Sequence, residues 1–190
     1  MGENRQKILL HSCCGPCSTA VIEGLVENFD VTVFYYNPNI TDEAEYQHRK
    51  SEEERFIKEF SAKAGVTIDY IEGDYDPENY LDFVMGLEDE PEGGARCLKC
   101  FEIRLRKTAA MARAKGFDYF DTTLTVSPYK NYDNISAIAK GLAEEYGVKY
   151  LGGNYKKKNG YQRSIELSKE YNLYRQHFCG CEFSRRGSEE

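Results

Sequence analysis

Apolar positions along this chain fall into short runs separated by longer amphipathic stretches. "KILLHS" (7–12) is a brief apolar run, and "VTVFYY" (31–36) is β-branched and aromatic, as strands tend to be. "VTIDYIEG" (66–73), "FDYFDTTLTV" (117–126) and "VKYLGG" (148–153) extend the series to five predicted strands. Between them the period changes. "STAVIEGLVENF" (18–29) reads as a helix capped by Ser18 or Thr19. A long charged helix is predicted over 42–64, capped by Thr41, carrying Tyr46, Phe56, Ile57 and Phe60 as its apolar positions and stopped by Gly65. "PENYLDFVMGL" (77–87) opens on proline, which suits a first helical turn. Leu98, Phe101, Leu105, Ala109 and Ala112 keep a 3.6-residue spacing that predicts a helix over 98–115, ended by Gly116. "NISAIAKGLAEEY" (134–146) is another, closed by Gly147, and a basic, aromatic tail reads as helical around 161–175.

Alternating strands and helices predict an α/β fold: a parallel five-stranded sheet with helices on both faces. The expected organisation is a single domain over 1–190, with a sheet core over about 1–153 and a basic helical segment over about 154–190. Open parallel sheets bind ligands beyond the carboxyl ends of their strands, where strand order reverses. The loop after the first strand borders that point, and here it reads "CCGPC" (13–17).

Composition bears on what those cysteines do. With 190 residues, 41% hydrophobic and 30% charged, the chain is an ordinary globular protein. No apolar run approaches the roughly 20 residues that span a bilayer. "MGENRQKILL" lacks the apolar stretch and cleavage site of a signal peptide, so a cytoplasmic location is expected. Thiols stay reduced there, and clustered cysteines more often bind metal or do redox chemistry than form disulfides. The net charge of −7 argues weakly against nucleic acid, but it is unevenly spread. Residues 1–95 hold 7 Lys and Arg against 21 Asp and Glu, whereas residues 96–190 hold 18 against 11. Such a chain can present a basic face to a polyanion.

The seven cysteines fall into three short groups, Cys13/Cys14/Cys17, Cys97/Cys100 and Cys179/Cys181. "CGPC" alone has the spacing of a thioredoxin-like redox pair, but that reading uses neither Cys13 nor the second C-x-x-C. A helix N-terminus after "CCGPC" would stabilise thiolates or an anionic cluster. Four thiolates suit tetrahedral zinc or an iron–sulfur cluster, and spacing does not separate the two. "FCGCEF" holds a C-x-C pair, which suits either a readily reduced disulfide or ligands to a second metal. Asp74, just beyond the third strand, is a candidate oxygen ligand for such a second site.

Other polar residues gather on the same sheet edge. Asn37 and Asn39 of "NPNIT" are candidates for a small ligand's polar atoms, although Asn-Pro also favours turns. Lys130 in "TTLTVSPYKN" (122–131) is a candidate for a phosphate or ribose. His11 precedes the cysteine loop, where it would act as a general acid, hydrogen-bond a cluster, or simply close the strand; His177 neighbours "FCGC" and His48 reads as surface. "NYKKKNGYQRS" (154–164), with Arg163, interleaves basic and aromatic residues as phosphate and base contacts would require, but matches no RNA-binding module.

Taken together, "HSCCGPCS", "NPNI", "RCLKC", "TTLTVSPYKN" and "YRQHFCGC" resemble the QueH family of epoxyqueuosine reductases, from near residue 7 to near residue 184. The resemblance implies a fold similar to adenine-nucleotide α-hydrolase-like (HUP) domains. It also implies removal of the epoxide oxygen of epoxyqueuosine in the anticodon loop of tRNA, the last step of queuosine synthesis, with a [4Fe-4S] cluster and an electron donor whose identity is open. In those HUP relatives the first loop binds nucleotide phosphates; here it carries cysteines, so ATP hydrolysis is not expected. The expected division makes Cys13, Cys14, Cys97 and Cys100 the cluster ligands. Cys179/Cys181 are then a redox or second-metal pair, with an additional iron in the latter case, and Cys17 is assigned to neither. Two rivals stand beside this reading: a cluster-dependent tRNA sulfur-transfer enzyme and a non-enzymatic, zinc-stapled RNA-binding protein.

Overall fold

The computed structural model describes residues 5–185, so both ends of the expected 1–190 domain lie outside the described residues. The elements run β1 (Gln6–Ser12), α1 (Gly15–Leu25), β2 (Phe29–Tyr35), α2 (Glu43–Ala64), β3 (Asp69–Glu72), α3 (Pro77–Phe83) and α4 (Ala95–Ala114). Then follow β4 (Tyr119–Thr122), α5 (Tyr132–Tyr146), β5 (Lys149–Tyr150), α6 (Gly160–Glu170) and α7 (Glu182–Arg185). The strands form one parallel sheet in the order β3-β2-β1-β4-β5, with Leu10 beside Val33 on one side and Asp121 on the other.

Helices cover both faces, as the alternation predicts. Successive β1 side chains point to opposite faces. Ile8 and Leu10 pack with Val21 and Ile22 of α1, Phe56 and Phe60 of α2 and Leu167 of α6. Leu9 packs with Leu105 and Ala109 of α4 and Ile135 and Ala139 of α5. Burying both faces explains why β1 and β2 read as continuous apolar runs.

Several boundaries differ from the sequence reading, each for a local reason. The cap of α2 is Asp42, whose carboxylate accepts from Glu45 N at 3.2 Å, and not Thr41. Ser18 and Thr19 do not cap α1; they lie inside it and donate back to the carbonyls of Gly15 and Pro16. Cys14 is the cap residue, in extended conformation, so α1 opens on Gly15-Pro16. The fourth strand stops at Thr122 because its hydroxyl accepts from Leu124 N and turns the chain into a 3₁₀ segment, Thr123–Val126. Helix α4 begins at Ala95, which places Cys97 and Cys100 in its first two turns.

The segment after β5 is tied into the core. Buried Asp121, at the end of β4, accepts from Gly153 N (3.0 Å) and the Tyr155 hydroxyl (2.6 Å). Helix α6 ends at Glu170, earlier than predicted, and Asn172 adopts a left-handed conformation. The chain then crosses α2, where Arg55 donates to the carbonyls of Tyr171 and Asn172 and Glu52 accepts from Tyr174 N. That path carries Cys179 and Cys181 to the carboxyl edge of the sheet.

Candidate thiol-rich metal centre

Strand β1 lies between β2 and β4, so the chain leaves it to one side and later returns on the other. The crevice of such a sheet opens beyond these two carboxyl ends. Cys13 lies there, its N–H bonded to Thr123 Oγ1 (3.2 Å) and its sulfur accepting from the same hydroxyl at 3.5 Å.

The sulfurs of Cys13, Cys14 and Cys17 all lie within 4.8 Å of one another. Cys14 is buried and accepts from Gln176 Nε2 at 2.9 Å. The Cys13 thiol is held well below the usual thiol range, first by hydrogen bonds from Cys14 and Cys17 and further by the charge of Lys130. Its neighbours move the other way: Cys14 is pushed up to about 12 by its bond to Cys13, and Cys17 rises for the same reason. The three thiols therefore titrate as a coupled set, in which Cys13 gives up its proton most readily.

The other four cysteines surround a small cavity of about 70 Å³. Cys97, Cys100, Cys179 and Cys181 line it, with Asn39, Arg104 and Lys130. Burial raises the Cys97 thiol and pushes Cys100 up to about 12. A second, more open cavity of about 600 Å³ holds Cys13, Cys17 and Cys179, together with Lys130, Arg175 and His177. Both cavities share Arg104, Lys130 and Cys179. The structure thus groups the thiols as 13/14/17 and 97/100/181, with Cys179 on the wall of both cavities. The expected ligand set Cys13, Cys14, Cys97 and Cys100 is divided between these groups.

Two arginines that the sequence reading passed over build this site. Arg49 is buried on α2, donates from Nη1 to the carbonyl of Cys179 and from Nη2 to that of Phe178 (both 3.2 Å), and pairs with Glu45 at 2.7 Å. It clamps the C-x-C segment against the helix. Arg104 is 1% exposed; its Nε donates to the carbonyl of Cys100, and its Nη2 has no partner. Its charge faces Cys100, Cys179 and Cys13. A buried, incompletely paired guanidinium needs an anion nearby. Both residues continue apolar stripes, Tyr46-Arg49-Glu53-Phe56 and Cys97-Cys100-Arg104-Thr108, and that periodicity was their available signal.

His11 is fully buried with both ring nitrogens engaged: Nε2 donates to the Tyr36 carbonyl and Nδ1 accepts from Thr122 Oγ1. Burial, aided by Arg104, lowers its pKa to about 4, so the ring is neutral and ties β1 to its neighbours. Asn37 donates to the Ser12 carbonyl, and the Oδ1 atoms of Asn37 and Asn39 are buried without partners. Lys130 stands at the join of the two cavities. Asp74 lines neither; it is exposed and paired with Lys107 at 3.1 Å. Arg163 also points elsewhere, bonded to Glu23 and Glu166 beside a separate cavity with Lys63. His48 is on the surface, stacked on Tyr174.

The donor set fits a sulfur-ligated metal cofactor. Seven free thiols are soft ligands, and Arg104 and Lys130 oppose the negative charge such a centre carries. Sulfurs bound to one tetrahedral ion sit about 3.8 Å apart for metal–sulfur bonds of about 2.3 Å, and those of Cys13 and Cys14 stand 3.9 Å apart.

Fold and site together define a class: parallel α/β domains with a thiol-lined crevice at the point where strand order reverses. Sequence comparison narrows it. The model of the family described as epoxyqueuosine reductase QueH matches residues 8–187. Proteins named epoxyqueuosine reductase QueH from Streptococcus pyogenes (46% identity, 96% of this chain and 71% of theirs), Haemophilus influenzae (42%, 98% and 74%) and Thermotoga maritima (37%, 93% and 89%) align over nearly the whole chain. The chain belongs to the epoxyqueuosine reductase QueH family, a family of oxidoreductases. Among solved structures it is similar to the U34-tRNA thiolase NcsA from Methanococcus maripaludis with its [4Fe-4S] cluster. The TM-score is 0.51 at 16% identity, over 98% of this chain and 65% of that one, a likeness of fold. The expected fold class is the observed one.

Proposed function

We propose that this chain reduces epoxyqueuosine in the anticodon loop of tRNA to queuosine, using a [4Fe-4S] cluster held by its cysteines. The observation that carries the reading is the gathering of seven free cysteines about two adjoining cavities, six on their walls and Cys14 beside Cys13 and Cys17, in a chain that matches the reductase family almost end to end. The reaction adds two electrons and two protons to the epoxide; both carbon–oxygen bonds break, an alkene forms and water leaves. A [4Fe-4S] cluster, when bound, supplies the electrons singly, from a donor yet to be identified.

The chain's own residues have separable tasks. The grouping of thiols favours Cys97, Cys100, Cys179 and Cys181 as the cluster ligands over the set expected from spacing. Cys13, Cys14 and Cys17 suit a second metal beside it, an additional iron being the simplest. Arg104 balances thiolate charge from within, and Lys130, which lines both cavities, would supply a proton to the leaving oxygen. His177, on the wall of the larger cavity, is a second proton carrier. His11 orients the ends of β1 and β2.

Anaerobic purification with iron and sulfide analysis tests the cofactor. Brown protein with at least four irons per chain is expected, and zinc alone overturns the reading. Conversion of epoxyqueuosine-containing tRNA by the reduced protein tests the reaction. Cys179→Ser separates the two ligand sets: loss of the cluster supports the four-thiol cavity, whereas an intact cluster with turnover lost returns to the spacing-based set.

A further inference from the structure

The larger cavity gathers positive charge in a chain of net charge −7. Arg104, Lys130 and Arg175 line it against the single carboxylate of Glu92, while Arg49, also on its wall, is already paired with Glu45. At the rim of both cavities stands Tyr129, 82% exposed, in the turn between the 3₁₀ segment and α5. Met85, also strongly exposed, lines neither cavity. The backbone beneath Tyr129 is fixed. Its N–H donates to Ser127 Oγ (3.3 Å), Lys130 N–H donates to the Ser127 carbonyl (3.3 Å), and the Lys156 ammonium donates to the Lys130 carbonyl (2.7 Å). An aromatic ring held in water at the mouth of a cationic crevice is a ready partner for a flat π-system attached to phosphates.

We propose that Tyr129 is a stacking platform for an unpaired nucleobase of the RNA loop, seating the strand so that the neighbouring nucleotide enters the thiol-lined cavity. This rests on the RNA substrate proposed above. A protein partner is a poorer fit, because Ser127, Lys130, Asn131 and Asn134 make the ring's surroundings polar, and among the described residues the other strongly exposed large apolar side chain, Met85, lines neither cavity. Unpaired bases, by contrast, are read by aromatic faces flanked by cations.

The test compares Tyr129→Ala, Tyr129→Phe and Tyr129→Trp in the metal-loaded protein. The substrate is an anticodon stem-loop carrying epoxyqueuosine. Loss of stacking on one base predicts a rise of roughly 5- to 150-fold in Kd and KM for Tyr129→Ala. Unchanged kcat, iron content and salt dependence of Kd are expected, because no charge is lost. Phe and Trp should restore affinity. An abasic nucleotide at the stacked position should weaken the wild type to the same extent and add nothing to Tyr129→Ala. Wild-type affinity in Tyr129→Ala, or a loss that Phe and Trp do not restore, overturns the stacking role. Wild-type protein that binds the stem-loop without converting it counts against the reductase reading instead, and the Kd comparison still decides the role of Tyr129.

Discussion

Glu53 is fully buried on α2, yet neither of its carboxylate oxygens has a hydrogen-bond partner. It faces the start of α1, where a Cβ on Gly15 would stand 3.7 Å from its backbone nitrogen. Burial raises its pKa to about 7. The unfolded chain ionises this group near 4.5, so between about 4.5 and 7 the folded state holds a proton that the unfolded state lacks. Stability therefore falls as pH rises through that window, and the penalty is complete above it. Glu53→Gln cannot ionise. At pH 8 it should be more stable than wild type by up to about 3 kcal/mol, while at pH 4.5 the difference should nearly vanish. Urea unfolding at the two pH values measures this, and an equal difference at both contradicts it. Asp121, raised to about 7 by the same cause, remains in the variant, so part of the pH dependence persists.

At the scale of elements, the C-x-C segment works only because its middle residue is glycine. Gly180 has φ +125°, and a Cβ there would lie 2.9 Å from Ile40 Cγ1 and 3.2 Å from Asn39 Nδ2. Both constraints act on the turn that aims Cys179 and Cys181. Gly180→Ala should cost about 1–3 kcal/mol and lower the iron bound per chain. Gly24→Ala is the contrast: it is helical with open space around it and should stabilise by up to about 1 kcal/mol. Thermal melts and iron analysis of the pair check both directions. The same segment marks how far the sequence was readable. Strand–helix alternation and the Gly65 and Gly147 stops were legible, because periodicity and left-handed caps are local. The meeting of Cys97/Cys100 with Cys179/Cys181 was not, because it depends on Arg49 and Arg55 holding the returning chain against α2. Arg49 and Arg104 look like surface charges until their place on apolar stripes is weighed. Asp74 is a candidate by its place after the third strand and Arg163 by its basic, aromatic surroundings, and only packing shows them paired with Lys107 and Glu23.

For the whole molecule, topology decides which of the many charges matter. The α2 helix runs antiparallel to the strands it connects, so its N-terminal turns lie at the cysteine edge and Lys63, in its last turn, at the opposite edge. Lys63 shares a cavity with Arg163, Glu23 and Glu170, where each cation already faces a carboxylate. Arg175, on the wall of the thiol-lined cavity, bonds a neutral Ser168 hydroxyl and keeps its charge available. The uneven charge along the chain thus becomes a local positive field at one sheet edge, within an acidic protein. Each phosphate neutralised by the protein adds about 0.7 to the slope of log affinity against log salt for a single strand. Arg175→Gln should weaken binding of an anticodon stem-loop and make that slope shallower by about 0.7. Arg163→Gln should change neither quantity, although both arginines lie in the basic C-terminal segment. Fluorescence anisotropy across a salt series measures both variants. Equal effects would mean that the RNA spreads over the whole basic segment rather than entering at the cysteine edge.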